Sequence, residues 1–492
     1  MALDPSQRPP LKPGETNEPV YFPEERDSWH GYIEWEKYPE KKAEAARILS
    51  KYQFLAPPEF QLVPLPNTNP QSWETVLEEK AKDMVHILQF PYNGEPPRER
   101  LVENEITLNE DFFVRNHGGI THIDADKFTL EIGGLVNNPR TFTLKELQDE
   151  SVFPRQSNIV TIQCSGTRRI EQIHEYPGDW DELINAPWGE GAIGNARWTG
   201  VSLKKVIKAC GGLKDGAKHL EFVGAETYFK QGQVYNCAVS VPWRKVQRNE
   251  VLLAIHGYPL RAVVFGYIGA RSCKWLYRIN ALREPSDGPV QKKEYLYFNP
   301  QIGKHNSTYS SGFSIQDMPV SSAIITPTDK SVIVHDGKIR IRGWAYSGGG
   351  HWPERIDVSG DGGSIWYEVP QGNCSTKYFY GWRLWWIDLP VDAEGWLEIV
   401  ARCWDDALNT QPTYVRSAWN WDLHVTSSRH RIKIFSVNKS RPKTARRLAA
   451  LEKAGKSLLP LTRPLPFKQE PDSEYEAETA RMGGKRSAGV DR

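Results

Sequence analysis

Hydrophobic and polar positions change rhythm three times along the chain, and the changes divide it into four stretches. Residues 1–88 alternate Pro-, Glu- and Lys-rich segments with two stretches of helical spacing. One covers Lys37–Tyr52. The other sets Trp73, Val76, Leu77, Met84 and Leu88 on one face and predicts a helix over Trp73–Leu88. The Pro-containing connection around Ala56–Pro70 makes this stretch an arm laid on a neighbour, without chemistry of its own.

From 89 to 310 short β-branched runs mix with capped helices. Thr143-Leu-Lys-Glu146 is a capping box, and Ser202 precedes Leu203, Val206, Ile207 and Cys210 at helical spacing, with Gly211 as the stop. Strands are predicted over Phe128–Ile132, Ile159–Gln163, His219–Val223, Arg261–Phe265 and Lys274–Ile279. No regular βαβ repeat appears, so the class is α+β.

Residues 320–437 read as all-β. Lys338–Trp344 alternates with period two, Arg355–Val358 and Ser364–Val369 flank the turn Gly360-Asp-Gly-Gly363, and Arg431–Ile434 alternates again. Short strands at turn-punctuated intervals predict an immunoglobulin-like sandwich, a fold that binds or pairs. Residues 438–492 carry few large apolar side chains and an excess of Lys and Arg, which predicts a mostly disordered basic tail.

Composition narrows the function classes. A chain of 492 residues with 39% hydrophobic and 25% charged positions has room for several globular domains. The formal net charge of +1 gives no global pull toward nucleic acid or membrane. No apolar run is long enough to span a bilayer, and residues 1–10 lack the pattern of a secretory signal. The expected address is intracellular, with the cytoplasm as the default and the mitochondrial intermembrane space or peroxisome left open. Six scattered cysteines without a C-x-x-C pair argue for free thiols.

The sharpest chemical motif is Val160-Thr-Ile-Gln-Cys164-Ser-Gly-Thr-Arg168-Arg169, in which a β-branched run delivers one cysteine into a small-residue turn followed by two arginines. Guanidinium groups stabilise a thiolate and attract anions, and a thiolate is a nucleophile or a soft metal ligand. A buried core cysteine ahead of a polar turn fits the decapeptide equally well. The arginines stand one position short of the spacing of a cysteine phosphatase loop. Other Arg and His clusters occur at Phe112–Gly119, Ile255–Arg261 and Gly269–Trp275, where turns can aim backbone N–H groups at a phosphate. P-loop, zinc-protease and nucleophile-elbow motifs are absent.

An ordered set of motifs then emerges: FFVRNH (112–117), QCSGTRR (163–169), NARWTGVSL (195–203), HGYPLR (256–261), GARSCKWL (269–276), SIQDMPVSSAI (314–324), GWAYSGGG (343–350) and DDALNTQP (405–412). Together they resemble the sulfite oxidase family of molybdenum cofactor enzymes, with nitrate reductases as near relatives. The resemblance implies a molybdopterin-binding α+β domain followed by an immunoglobulin-like dimerisation domain, and hence a homodimer through 320–437. It implies Cys164 as the protein ligand to molybdenum. His117, Glu226, His256, Arg261, Ser272, Cys273 and Lys274 would hold the pterin cofactor. Arg115, Arg169 and Arg383 would converge on the oxyanion, with Trp188 and Tyr295 as walls.

The implied reaction is oxidation of sulfite to sulfate by oxygen-atom transfer, with electrons leaving to dioxygen or a separate haem carrier, because no haem, flavin or nicotinamide domain is recognisable in the chain. Gln291–Tyr295 and an arginine in Gly381-Trp-Arg-Leu-Trp385 favour sulfite over nitrate. Asn116–Gly119 and Asp405–Pro412 lean toward nitrate reductase. A non-catalytic dimeric assembly module is the reading of a different class. The chain departs from the family pattern where Val251–Ile255 runs directly into His256.

Overall fold

A computed structural model describes residues 60–62 and, with short gaps that include 77, 118–119, 175–185, 231–232, 256–257 and 303–307, residues 76–464. The helix expected over Lys37–Tyr52 lies outside them.

Two sheets frame the first half. One has the strand order Gln233–Pro242, His219–Lys230, Leu276–Leu282, Thr129–Gly134, Arg140–Thr143, with one parallel pair, Leu276–Leu282 on Thr129–Gly134. The other is antiparallel, in the order Arg261–Val264, Val251–Ala254, Ile193–Ser202, Gln156–Gln163. Their apolar side chains, among them Leu130, Phe142, Phe222, Val239 and Ile279, join one core. The Thr143 box caps Leu144–Gln148 through both reciprocal bonds. Leu203–Ala209 ends at Gly211 (φ 75°), where Gly212 N–H donates to Ile207 O and Gly211 N–H to Lys208 O. Ser202 does not cap that helix; its hydroxyl bonds Asn249 instead.

In the second half, a three-stranded sheet (Ser321–Thr326, Lys338–Tyr346, Arg383–Pro390) faces a five-stranded one (Val332–His335, His430–Asn438, Gly395–Asp405, Pro353–Ser359, Tyr367–Glu368). Ile339, Ile341, Ile387 and Leu389 from the first meet Ile356, Val358, Ile399, Ile432 and Ile434 from the second. Alternation along each strand puts these apolar residues inside and polar ones out, as in an immunoglobulin-like sandwich.

Two local expectations need correction, and two other segments gain detail. Val85–Leu88 is a strand paired with Asn93–Glu95, not the end of a helix, because β-branched Val85 and Ile87 follow a turn at Lys82-Asp83 and find a partner strand. The strand expected from Lys274 starts at Leu276, since Trp275 sits at φ 48° and breaks the extended run. Val251–Ala254 is itself a strand, antiparallel to Arg261–Val264, so the short connection closes a hairpin. The tail begins with a helix, Pro442–Lys453, none of whose residues is buried. Pro at its start and an Ala, Leu, Arg and Lys-rich sequence suffice for local helix without a core.

The two halves are locked together. Trp344, Tyr346 and Trp382 of the sandwich belong to the core of the first half. Arg168, fully buried, forks onto Glu171 (2.6 and 2.6 Å) and donates to the carbonyls of Ser322 (3.0 Å) and Ser428 (2.7 Å) across the seam. Removing the guanidinium leaves two buried carbonyls and a carboxylate short of donors. Arg168→Met is expected to cost about 3 kcal/mol of stability, read from urea unfolding; an unchanged midpoint contradicts this role.

Candidate functional site

The strand Gln156–Gln163 is anchored by Val160 and Ile162 in a small cluster with Trp198, Leu252 and Phe265, and it ends at Cys164. The chain then turns. Thr167 N–H and its hydroxyl both donate to Cys164 O (3.1 and 2.9 Å), and Arg168 takes φ 65°. Cys164 is buried among Ile87, Ala186, Trp188 and Ala192. Its sulfur accepts the Gly166 N–H at 3.4 Å. Arg115, half-buried, and Tyr295, buried, both lie within electrostatic reach of Cys164.

Arg115 comes from the short strand Val114–Arg115, paired with Asn93–Glu95, and its guanidinium contacts Asn93 Oδ1 and the Asn116 carbonyl. Burial works against its charge, but Tyr295, Cys164, Glu226 and Glu294 outweigh that and hold its pKa above the ordinary arginine value. Lys274 donates to Arg115 O at 2.9 Å and to Asn116 Oδ1, and its ammonium lies 4.4 Å from the Trp275 ring centroid. Burial lowers its pKa, opposed by Glu226 and reinforced by Arg261. Arg261 sits 4.9 Å over Trp198, bonds Ser272 O, and is pushed down to about 10 by burial.

Glu226 accepts the His117 N–H at 2.6 Å. Burial alone would raise its pKa, but Lys274 and His117 prevail and hold the carboxyl far below the usual range, so it is a carboxylate. His117 Nδ1 lies 3.8 Å from that carboxylate and Nε2 lies 2.6 Å from the Tyr295 hydroxyl. Burial and Arg115 depress the imidazole, keeping it neutral. Because a carboxylate only accepts, the ring hydrogen belongs on Nδ1, and Nε2 takes the Tyr295 O–H. Burial pushes the phenol well above its ordinary value, so it keeps that proton.

Arg169 is in the same neighbourhood, though its donors are engaged: Nε to Leu423 O (2.9 Å), Nη1 to Ala186 O (2.6 Å) and Nη2 to His424 Nδ1 (3.3 Å). Trp188 is fully buried, edge-on to Phe113, with no hydrogen-bond partner at its indole N–H among the described residues. Ser272 and Cys273 are buried in the Gly269–Trp275 turn; the Ser272 hydroxyl accepts the Val264 N–H at 3.1 Å, and Cys273 touches Cys237. His256 lies outside the described residues.

Arg383 does not join them, which corrects the expected three-arginine pocket. Its guanidinium donates to Ser375 O (3.1 Å), Pro353 O (3.0 Å) and Gln371 Oε1 (3.1 Å), all within the sandwich. Neighbouring Trp382 takes the side facing the first half, where its indole bonds Glu105 O at 2.9 Å, and strand geometry sends Arg383 the other way.

The sequence reading missed three parts of the site. Asn93 and Asn116 brace Arg115 and Lys274. His424 lies against Tyr295 with ring centroids 5.2 Å apart. Glu95 and Glu190 hold the Trp188 loop: Glu95 accepts the N–H groups of Gly189 and Gly191 at 3.0 Å each, while Glu190 pairs with Arg98 (2.7 Å) and His430 (3.2 Å). Only the glycines bracketing Glu190, where a Cβ would strike Glu95, hinted at such close packing.

Comparison with known proteins meets this geometry from outside. Residues 117–290 match the oxidoreductase molybdopterin binding domain, and residues 312–437 match the Mo-co oxidoreductase dimerisation domain. The sulfite oxidase of Arabidopsis thaliana is 34% identical over 371 residues, covering 70% of this chain and 91% of that protein. The chain belongs to the sulfite oxidase family of molybdenum-cofactor oxidoreductases.

Human mitochondrial sulfite oxidase is 36% identical over 363 residues, and the chain spans 65% of its length. Nitrate reductase [NADH] 1 of Phaseolus vulgaris is 32% identical over 362 residues, 40% of that protein. The sulfane dehydrogenase SoxCD of Paracoccus pantotrophus shares the fold, with a TM-score of 0.58 at 24% identity over 71% of this chain and 85% of that one. Family membership makes the chain an enzyme and removes the assembly-module reading.

The buried groups suit an anionic cofactor of this family. Arg115, Lys274 and Arg261 gather in electrostatic reach of one another, with Glu226 among them, and the buried Arg261 Nε and Trp188 Nε1 have no hydrogen-bond partner among the described residues. Phosphate and other acceptor groups would satisfy that excess of donors.

Stability should report on the Trp188 loop. Burial and Glu190 push Glu95 up to about 8 from 4.5. Between those values the folded chain holds a proton that the unfolded chain has lost, so stability falls as pH rises from about 4.5 to about 8. Glu190, held far below its ordinary value with the Arg98 pairing overcoming burial, contributes no slope in that window and loses its contribution only in acid. Glu95→Gln is expected to flatten the fall of Tm across that window; an unaltered slope places the proton elsewhere.

Proposed function

We propose that the chain oxidises sulfite to sulfate at a molybdenum cofactor held by Cys164, His117, Glu226, Arg261, the Ser272-Cys273-Lys274 turn and His256. Bound there, the cofactor supplies two-electron oxygen-atom transfer. The chain's own residues do the rest. Arg115, charged in spite of burial, attracts the oxyanion and offsets its charge. Tyr295, protonated and aligned by His117 Nε2 at 2.6 Å, offers a hydrogen bond to a substrate oxygen. Trp188 closes a wall and excludes water, and Arg169 holds the floor from behind through Ala186 and Leu423.

The observation that carries this reading is the convergence of Cys164, Arg115 and Tyr295 in one buried, cation-rich place. Sulfite as the oxyanion is supported by the names of the sulfite oxidases among its relatives and by Tyr295 at the end of Gln291–Tyr295. The argument from Arg383 no longer contributes, and nitrate stands as the second reading because a nitrate reductase is also a relative. Electrons leave to dioxygen or a separate haem carrier. Two chains pair through residues 320–437, in keeping with the dimerisation-domain match. We place the enzyme inside the cell, in keeping with six free cysteines; no described helix is long and apolar enough to cross a membrane.

Produced in a host that makes the cofactor, the protein should bind about one molybdenum per chain and reduce an acceptor when given sulfite. A larger kcat/KM for nitrate overturns the substrate. A folded dimer that takes up no molybdenum overturns the whole reading. Cys164→Ser should keep the fold, judged by circular dichroism, and abolish turnover. Arg115→Met should raise KM for sulfite at least about tenfold, the loss of one charged hydrogen-bonding group. Light scattering should return twice the chain mass of 56.1 kDa; a clean monomer contradicts the pairing.

A further inference from the structure

His424 is 4% exposed, lies in the sandwich half of the chain, and has so far been given no role. The backbone on either side of it is unusual. Leu423 and Val425 adopt φ 53° and 58°, a region that costs a branched residue such as Val free energy and persists only where surroundings enforce it. The enforcement comes from the Cys164 turn. Arg169 Nε donates to Leu423 O, Val425 N–H donates to Ser165 O at 2.6 Å, and Gln172 Nε2 donates to His424 O at 3.1 Å. Asn420, itself fully buried, closes the loop by accepting His424 N–H at 3.2 Å and donating to His424 O at 2.7 Å.

The side chain so aimed meets three groups of the site. Nδ1 is 2.9 Å from Ser165 Oγ and 3.3 Å from Arg169 Nη2, and the ring stacks on Tyr295 at 25° between planes. Arginine only donates, so Nδ1 carries the lone pair and the ring hydrogen belongs on Nε2. Ser165 Oγ then donates to the same lone pair. With Arg383 turned into the sandwich, His424 stands as the group contributed to the pocket by the second half of the chain.

We infer that His424 is a positioning residue of the oxyanion pocket, fixing Arg169 and Ser165 through Nδ1 and the Tyr295 ring through its face. The inference rests on the oxyanion-oxidation reading above and adds the residue that sets the pocket's shape. Each contact controls a different neighbour. Loss of Nδ1 frees Arg169 to leave Leu423 and Ala186, and loss of the ring frees Tyr295 to leave His117.

Two variants of the holoenzyme separate these contacts. His424→Phe keeps a ring on Tyr295 but offers Arg169 and Ser165 no acceptor. KM for sulfite should rise about tenfold, the Kd of sulfate titrated calorimetrically should rise with it, and kcat should fall less than about threefold. His424→Asn places an amide oxygen near the Nδ1 position but leaves Tyr295 without its stacked ring, so KM and the sulfate Kd should return to within about threefold of the parent enzyme while kcat falls about tenfold. Parental constants in the Phe variant, or an Asn variant with KM as high as Phe or with parental kcat, overturn the inference.

A readout independent of substrate comes from unfolding. His424→Phe and Arg169→Lys together should lower Tm by less than the sum of the single effects, since each breaks the same bond. Additive losses overturn the pairing. If the enzyme proves to oxidise a different oxyanion, the sulfite reading fails while this cycle still tests His424.

Discussion

The structure depends on the grip between one turn and one distant loop. The turn after Cys164 does not satisfy its own donors, and three of its side chains, Arg168, Arg169 and, one helical turn on, Gln172, reach into the second half of the chain. They find carbonyls at Ser322, Ser428, Leu423 and His424, all in the second half. A fully buried guanidinium is tolerable only when its nitrogens are partnered, and those of Arg168 are: Nε and Nη2 on Glu171, Nη1 on the two carbonyls across the seam. The sandwich thereby becomes part of the site's scaffold as well as a module for pairing chains.

Strain gathers at the same place. Among the described residues, non-glycine positions with positive φ include Arg168, Trp275, Tyr295, Leu423 and Val425, each one at or beside a proposed site residue. Such conformations persist where dense packing over-determines them. Here each has a tether. Tyr295 O accepts the Ile315 N–H, Trp275 O accepts the Ala225 N–H, and Val425 N–H reaches Ser165 O. The site is held in a high-energy backbone arrangement by bonds to several different elements, which is how a pocket keeps its geometry before anything enters it.

Charge is arranged with equal economy. Arg115, Lys274 and Arg261 lie where burial weakens cations, and a single carboxylate, Glu226, sits among them. Below the Trp188 loop the signs reverse: Glu95 and Glu190 share one buried space, and the direct pairing with Arg98 keeps Glu190 ionised. The upper cluster is short of negative charge and the lower one is short of positive charge. Under the proposed function an anionic cofactor and an oxyanion complete the first, and a retained proton completes the second. These are two solutions to the same problem of charge in a medium of low permittivity.

Much of the architecture was legible in local sequence, for reasons internal to each segment. The capping box at Thr143–Glu146, the glycine stop at Gly211 and the alternation of Lys338–Trp344 are set by residues a few positions apart; the first two appear where expected, and the third lies within the strand Lys338–Tyr346. The motif around Cys164 announced itself because its chemistry is concentrated in ten consecutive residues. Where partners come from far away, local reading failed. Val85–Leu88 has helical spacing but became a strand because Asn93–Glu95 was there to pair with it. Arg383 lies in a motif that suggested a pocket, yet register on its strand turned it toward Pro353 and Gln371. His424 carried no local mark at all; it entered the site because Arg169, Gln172 and Ser165 drew its loop across a gap of roughly 250 residues. Sequence alone determined which segments could be strand, helix or thiol-bearing turn, because those depend on near neighbours. Only the tertiary structure decided which side chains share the pocket, because that depends on hydrogen bonds closed between elements distant along the chain.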